Sequence, residues 1–278
     1  VPLQLVLNNT KLAIPATLDQ SGLMLIVDTG SERTVLSETA VQAGEQTSGV
    51  GFISGIGGSR GAGLAMLRKL EIGRLHGSVA AVVTEFNASL QQRGFSGLLG
   101  MDIMGAYDID LDVRGGQARF YHAEGACRIP RAVLAQPLYS VAELPAALGD
   151  ARPHVAVGIA GQTFNAALDT GAQGLLISAR AARRLGLDDT TMAADRTLAV
   201  NGVGRRTVTG HLHLLDSLVL GELTVRRVPA LIMPENFDPT VDVLLGIDIV
   251  KRIHFWLSAS SHQLVMQYPP ASPSAPAP

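Results

Sequence analysis

Short apolar stretches, each cut off by turn chemistry, run through the chain from its start. Leu3–Leu7, Ile14–Leu18 and Leu23–Val27 are separated by Asn8-Asn9 and by Asp19-Gln20-Ser21-Gly22, residue types that favour turns. Farther on, Ile109, Leu111 and Val113 alternate with Asp108, Asp110 and Asp112. A period of two marks a half-buried strand. Arg114-Gly115-Gly116-Gln117 turns that strand back into Ala118–Tyr121, and Ile253–Leu257, Ser258–Ser261 and Gln263–Gln267 read as a matching hairpin near the other end. Between them, Val155–Ile159, a turn at Gly161 and Phe164–Leu168 repeat the opening pattern. Helix is scarce. The best candidate is Ser178–Leu185, with Ser178 as N-cap and Gly186 as the stop. The pattern predicts an all-β chain with short helices.

The chain also repeats itself. Leu25-Ile26-Val27-Asp28-Thr29-Gly30 returns 141 residues later as Ala166-Ala167-Leu168-Asp169-Thr170-Gly171. Gly55-Ile56-Gly57 returns as Gly202-Val203-Gly204, and Leu70-Glu71-Ile72-Gly73 as Leu218-Val219-Leu220-Gly221. Leu98-Leu99-Gly100-Met101-Asp102-Ile103 returns 146 residues later as Leu244-Leu245-Gly246-Ile247-Asp248-Ile249. Four motifs in one order mean two copies of one unit. The expected division is a lobe at 1–122, a linker at 123–152, a second lobe at 153–268 and a tail at 269–278. Pro130, Pro137 and Pro145 among alanines suggest that the linker packs loosely across both units. The Pro/Ala/Ser-rich tail is expected to be disordered.

Composition narrows the class. With 47% apolar and 17% charged residues, the 278-residue chain is globular rather than disordered, and long enough for two cores. A net charge of −2 gives no means of neutralising phosphates, so no nucleic-acid partner is expected. No apolar run approaches the roughly 20 residues that span a bilayer. The single cysteine, Cys127, excludes an internal disulfide framework and a multi-thiolate metal site. Lys11, Lys69 and Lys251 are the only lysines, and alanine is abundant, a composition like that of GC-rich bacterial coding. The chain starts at Val1 rather than Met, so a removed targeting segment, and with it an exported or periplasmic location, is an expectation left open.

One feature carries chemistry. A single Asp-Thr-Gly is most simply a β-turn. Here two stand at matched places, each led in by an apolar strand and trailed by Leu-Leu-Gly, which a pair of turns does not explain. Two like units can meet about a pseudo-two-fold axis and bring Asp28 and Asp169 together, where both carboxyls cannot ionise and one proton is shared. One carboxylate then serves as general base on a water while the other protonates a carbonyl oxygen. That scheme asks for no metal and no cofactor.

On these residues the chain resembles a tandem, single-chain aspartic peptidase built from two retropepsin-like units and related in plan to the bilobal pepsins. The resemblance covers nearly everything outside the linker and the tail. It implies the bilobal acid-protease fold, two β-barrel units about a pseudo-two-fold axis, and an endopeptidase acting on peptide or protein substrates as a monomer. Asp28 and Asp169 match the catalytic pair, with Thr29, Gly30 and Ser31, and Thr170, Gly171 and Ala172, as supporting loops. Leu98-Leu99-Gly100 and Leu244-Leu245-Gly246 match the element beneath those loops. Phe52, Ile53, Gly55, Ile56, Gly57 and Gly58 look like a retroviral flap, in which Phe52, Ile53 and Ile56 supply apolar cover over substrate. Gly202, Val203 and Gly204 look like a second flap. Pepsins carry a flap tyrosine, and residues 50–65 contain none. The motifs differ at Ser31 against Ala172. A serine hydroxyl donating to its own aspartate would lower that pKa, making Asp28 the base and Asp169 the holder of the shared proton.

Other signals weigh less. Gly57-Gly58-Ser59-Arg60-Gly61 fits a nucleophile-elbow pattern that has meaning only between a strand and a helix; so much glycine predicts a mobile loop instead. His211 and His213 share a strand face but lack a third ligand, so two surface histidines are expected. Trp256 reads as core. Two other readings stay open: a chain that must dimerise or be processed to work, and a catalytically weak or inactive module that binds extended peptides along sheet edges.

Overall fold

The computed structural model describes residues 1–41, 46–122, 139–143, 150–258 and 261–267. Cys127, the tail from 269 and most of the expected linker lie outside them.

The first half contains β1 (Gln4–Val6), β2 (Lys11–Leu18), β3 (Ser21–Val27), β4 (Val35–Ser37), β5 (Gln46–Gly55), β6 (Gly58–Ile72), β7 (Leu75–Thr84) and β8 (Gly97–Leu99), with α1 (Ala88–Gln92) before β8 and α2 (Met101–Met104) after it. The strands form one sheet in the order β1-β2-β3-β8-β4-β7-β6-β5, and a further β2–β6 pairing rolls it up. Then come β9 (Tyr107–Asp112), β10 (Gln117–His122) and β11 (Tyr139–Glu143). The second half repeats the plan with β12 (His154–Ile159), β13 (Gln162–Leu168), β14 (Leu175–Ile177), α3 (Ala179–Arg184), β15 (Arg196–Val200), β16 (Val208–Leu220), β17 (Leu223–Ile232), β18 (Val243–Leu245) and α4 (Ile247–Val250). Its order is β12-β13-β18-β14-β17-β16-β15, closed by β12–β16. From β2 onward the first order matches the second strand for strand, β1 being an addition at the edge of the first sheet. The fold is all-β and bilobal, two barrel-like units with short helices.

The apolar run before each Asp-Thr-Gly follows from position. β3 lies between antiparallel β2 and parallel β8, and β13 between antiparallel β12 and parallel β18. Strands buried on both faces read as continuous apolar sequence; Leu25, Ile26 and Val27, and Ala166, Ala167 and Leu168, are all buried. α3 starts where expected, with Ser178 Oγ accepting the Ala181 N–H at 3.2 Å, and ends before Gly186 at φ +71°.

β19 (His254–Ser258) and β20 (Gln263–Gln267) complete a sheet that both halves build, in the order β10-β9-β19-β20-β11. At its centre Leu111 faces Phe255, Asp110 faces Trp256 and Ile109 faces Leu257. Asp110 and Trp256 are 146 residues apart, the same spacing as Leu99 and Leu245. The pseudo-two-fold axis therefore passes through this pair. One apolar core runs through both units and this sheet, from Leu12, Leu25 and Leu99 to Phe164, Leu245 and Phe255.

The structure corrects three expectations. Inside the expected linker, Tyr139–Glu143 is a strand paired with β20, because β20 offers a free edge. Gly58–Gly61 is no mobile loop but the start of β6, held in register by Gly55 to Phe52 across the hairpin. His211 and His213 are half-buried rather than on the surface, and His213 Nδ1 is hydrogen-bonded to Asp195 Oδ2 at 2.6 Å. Trp256 is fully buried, as its size predicts, against the Tyr121 ring at 4.9 Å.

Candidate active site

β3 delivers Asp28, and β13 delivers Asp169, at equivalent points. Each is anchored from below: the Asp28 N–H donates to Leu99 O and the Asp169 N–H to Leu245 O, both at 3.0 Å. The Leu-Leu-Gly strands β8 and β18 are thus the floor of the two loops. Thr29 and Thr170, both wholly buried, interlock across the halves. Thr29 N–H donates to Thr170 Oγ1 at 3.0 Å and Thr170 N–H to Thr29 Oγ1 at 3.1 Å. Each hydroxyl donates in turn to the carbonyl preceding the opposite aspartate, Thr29 to Leu168 O and Thr170 to Val27 O, both at 2.6 Å. Each buried hydroxyl thus both donates and accepts across the halves, which fixes their register.

The glycines let the carboxyls approach. A β-carbon on Gly30 would stand 2.3 Å from Asp169 Cγ, and one on Gly171 would stand 2.4 Å from Asp28 Cγ. Each glycine is the wall against which the other half's carboxyl lies, and no larger residue fits. The two carboxyls thus sit across the paired glycines from each other. Both are partly accessible, yet protein surrounds them closely enough for desolvation to dominate. Burial, followed by the charge of Asp169, pushes the Asp28 carboxyl up to about 7. Burial raises Asp169 too, opposed by the Ala172 N–H at 2.9 Å, the Lys11 charge and the Gly171 N–H. Asp28 receives one backbone donor, the Gly30 N–H at 3.0 Å. The Lys11 charge opposes the rise at Asp28 as well, so burial raises both carboxyls and the two titrate as a pair.

The premise of the sequence-based expectation, a Ser31 hydroxyl donating to Asp28, is not met. Ser31 Oγ donates to Arg33 O at 2.7 Å, not to Asp28. Ala172 supplies its backbone N–H instead of a side chain.

The aspartyl protease family model matches this chain twice, over residues 14–103 and again over 155–249, each span holding one Asp-Thr-Gly and its Leu-Leu-Gly floor. The chain belongs to the aspartyl protease family. Among solved structures it is similar to a retropepsin-like aspartic protease from Rickettsia conorii, with 19% identity and a TM-score of 0.37 over 47% of this chain and 91% of that one. No curated protein matches the sequence.

In this member of the family the two flap-like hairpins differ in build. The first is long and sharp: β5 and β6 pair up to Gly55–Gly58, leaving Ile56-Gly57 as the tip, with Gly57 at φ +83°. The second is short and blunt, β15 and β16 pairing up to Val200–Val208 around the loop 201–207. The first tip rests on the second loop. Gly204 N–H donates to Ile56 O at 3.0 Å and Arg206 N–H to Gly57 O at 3.3 Å. Ile56 packs into an apolar cluster with Ala172, Leu176, Val200, Leu231 and Phe237, while Val203 lies against Gly55. Ile53 is half-buried. Phe52, on the opposite face of β5 by strand alternation, is 80% exposed and stands apart from that cover.

Three residues of the site lie outside every motif. Lys11 and Arg152 are 141 residues apart, as the aspartates are. Lys11 Nζ donates to Gly171 O, and Arg152 lies 3.9 Å from Glu32 while paired with Asp150 and Asp238. A basic residue 17 before each aspartate is a signal the repeat offered. Glu235 touches the flap tip through the Gly57 N–H and pairs with Arg206, much as Glu85 pairs with Arg60 in the first half. Among the described residues, no group of three His, Cys, Asp or Glu side chains is placed to hold a metal, and no helix is long and apolar enough to cross a membrane.

Proposed function

We propose that the chain is an aspartic endopeptidase that hydrolyses extended peptides as a single chain, with Asp28 and Asp169 as its catalytic residues. The observation that carries this reading is the interlocked pair: two carboxyls from two halves, each seated against the other's glycine above threonines that bond across the halves. One carboxyl of the pair, ionised, takes a proton from a water held between the carboxyls as that water attacks the peptide carbonyl. The other gives its proton to the carbonyl oxygen. The roles then reverse, and the leaving amine receives the proton now on the first. Lys11, on the carbonyl of Gly171, supplies positive charge that keeps the pair from holding two protons at working pH. The first flap closes over the peptide and excludes water, with Ile53 and Ile56 as its apolar face. The blunt second loop supports that flap rather than acting as a second lid.

The test is digestion of an unfolded protein across pH 3–9, with and without a statine-type inhibitor whose hydroxyl imitates the tetrahedral intermediate. Cleavage that is blocked by that inhibitor or by a retroviral-protease inhibitor, untouched by chelators and absent from Asp28→Asn supports the reading. Peptide binding without cleavage by the folded wild type would replace it with the binding-module reading. Chelator-sensitive cleavage would overturn the mechanism.

A further inference from the structure

The polar groups of the first flap tip are not left open. Besides the two backbone bonds to the second loop, the Gly57 N–H donates to Glu235 Oε1 at 3.2 Å. The other oxygen of the same carboxylate accepts from Arg206 Nη2 at 2.7 Å. Arg206 is the residue whose backbone N–H meets Gly57 O, so the Glu235 carboxylate, the Arg206 guanidinium and the Arg206 N–H close a ring around one residue, Gly57. Gly57 is buried in that ring, and its left-handed backbone leaves no room for a side chain: a β-carbon would stand 2.2 Å from Arg206 O.

Glu235 is itself held still. Its carbonyl accepts the Ala179 N–H at 3.1 Å. The next residue, Asn236, accepts the Arg180 N–H at 2.9 Å, and the Arg180 guanidinium reaches Pro239 O and Asp242. The post is therefore tied to α3 and to the floor of the second half, while the flap reaches it from the end of a long two-stranded arm. On the loop side, Thr207 Oγ1 donates to Asn201 Oδ1 at 2.7 Å and draws the two ends of the loop together.

We infer that Glu235 is the flap-positioning residue of this protein: its carboxylate, oriented by Arg206, catches the Gly57 N–H and holds the first flap down on the second half. The inference rests on reading that hairpin as a lid over peptide substrate. It also makes the two hairpins unequal partners, one a moving arm and the other a fixed catch. A bond from a backbone N–H to a carboxylate is stronger than one to a neutral acceptor, and Glu235 keeps only 27% of its side-chain surface exposed. Arg206, 70% exposed, adds orientation more than energy, since exposed ion pairs contribute little. The ranking that follows is Glu235→Ala as the severe change, Glu235→Gln as a partial rescue that keeps the acceptor, and Arg206→Gln as the mildest.

The experiment is amide hydrogen exchange on the full chain without substrate, followed by steady-state kinetics on one long peptide. In Glu235→Ala the amides of Gly57, Gly204 and Arg206 should exchange at least about tenfold faster than in wild type, those of β16 and β17 near Leu218 being unchanged. Glu235→Gln should fall between the two. KM for the long peptide should rise by about tenfold in Glu235→Ala with kcat within about threefold, and Glu235→Gln should recover most of the loss. Unchanged exchange at the three amides in Glu235→Ala overturns the catch, and so does a Glu235→Gln protein as open as Glu235→Ala. Should Glu235→Ala not fold, the comparison of Glu235→Gln and Arg206→Gln with wild type decides on the same amides, and equal protection in all three overturns it. The exchange result does not depend on turnover. Faster exchange in a protein that cuts nothing would leave the catch standing and remove the peptidase reading, whereas unchanged exchange in an active peptidase would do the reverse.

Discussion

A carboxyl buried beside another carboxyl ties the chemistry at Asp28 to the stability of the whole chain. Its pKa is raised from the ordinary carboxylate range to about 7 by burial and by Asp169. A folded-state pKa above the unfolded one means the folded protein holds its proton more tightly. The stability this gives is full below about pH 4 and is lost as pH rises through 7. Asp28→Asn replaces the protonated form with a neutral near-isostere. Its melting temperature should match that of wild type to within about 2 °C at pH 4 and exceed it by roughly 5 °C or more at pH 8. Equal melting temperatures at both pH values would mean that Asp28 carries no raised pKa. The same titration sets the basic limb of the activity profile, where loss of the shared proton leaves two carboxylates and no acid. At this scale the sequence spoke clearly about identity and poorly about orientation. Asp28 and Asp169 stand out because the motif is doubled. Where the Ser31 hydroxyl turns depends on which carbonyl the loop presents, here Arg33 O, and no spacing along the chain encodes that.

Among the elements, the strands that end in Asp-Thr-Gly were legible because burial on both faces forces a continuous apolar run. The short helices α1, α2 and α4 were not. Each is only four or five residues long, too short for a 3.6-residue period to register. Asn87 does cap α1, accepting the Ser89 and Leu90 N–H groups, but so short a helix gives that signal nothing to lead into. The flap hairpin offers the prediction that belongs to this scale. Gly57 combines a left-handed φ with close contact on Arg206 O, so Gly57→Val displaces the tip without touching the core. A fall in kcat/KM of at least about 100-fold is expected, with a loss in melting temperature under about 5 °C, the cost of one strained turn residue. Proportionate loss of both would make the hairpin a structural element instead of a lid.

For the molecule as a whole, two copies of one unit are held in register by interlocked threonines at the site and by a shared sheet below it. The offset of the repeat was visible in the sequence; that β9 and β19 would meet on the axis was not, because the alternating pattern of Ile109, Leu111 and Val113 names a strand but not its neighbour. In that sheet Asp110, nearly buried, holds His254 from the other half and Arg119 from the next strand. The Asp110 hydrogen bond raises the His254 pKa. A histidine raised by a partner stabilises the fold fully below its unfolded value near 6.5 and loses that contribution as pH rises through its folded value. The melting temperature of wild type should therefore exceed that of His254→Gln at pH 6, and the gap should close by pH 9. A gap that widens with pH would exclude the pair as a clamp between the halves. The central claim is that the two aspartates, one from each half, act as a unit. Its most direct test is a double-mutant cycle on peptide cleavage with Asp28→Asn, Asp169→Asn and both together, each variant confirmed as folded. Each single change should lower kcat/KM by at least about 10³-fold, and the double variant should be no worse than either alone; losses that add, or one single variant retaining activity close to wild type, would contradict the account.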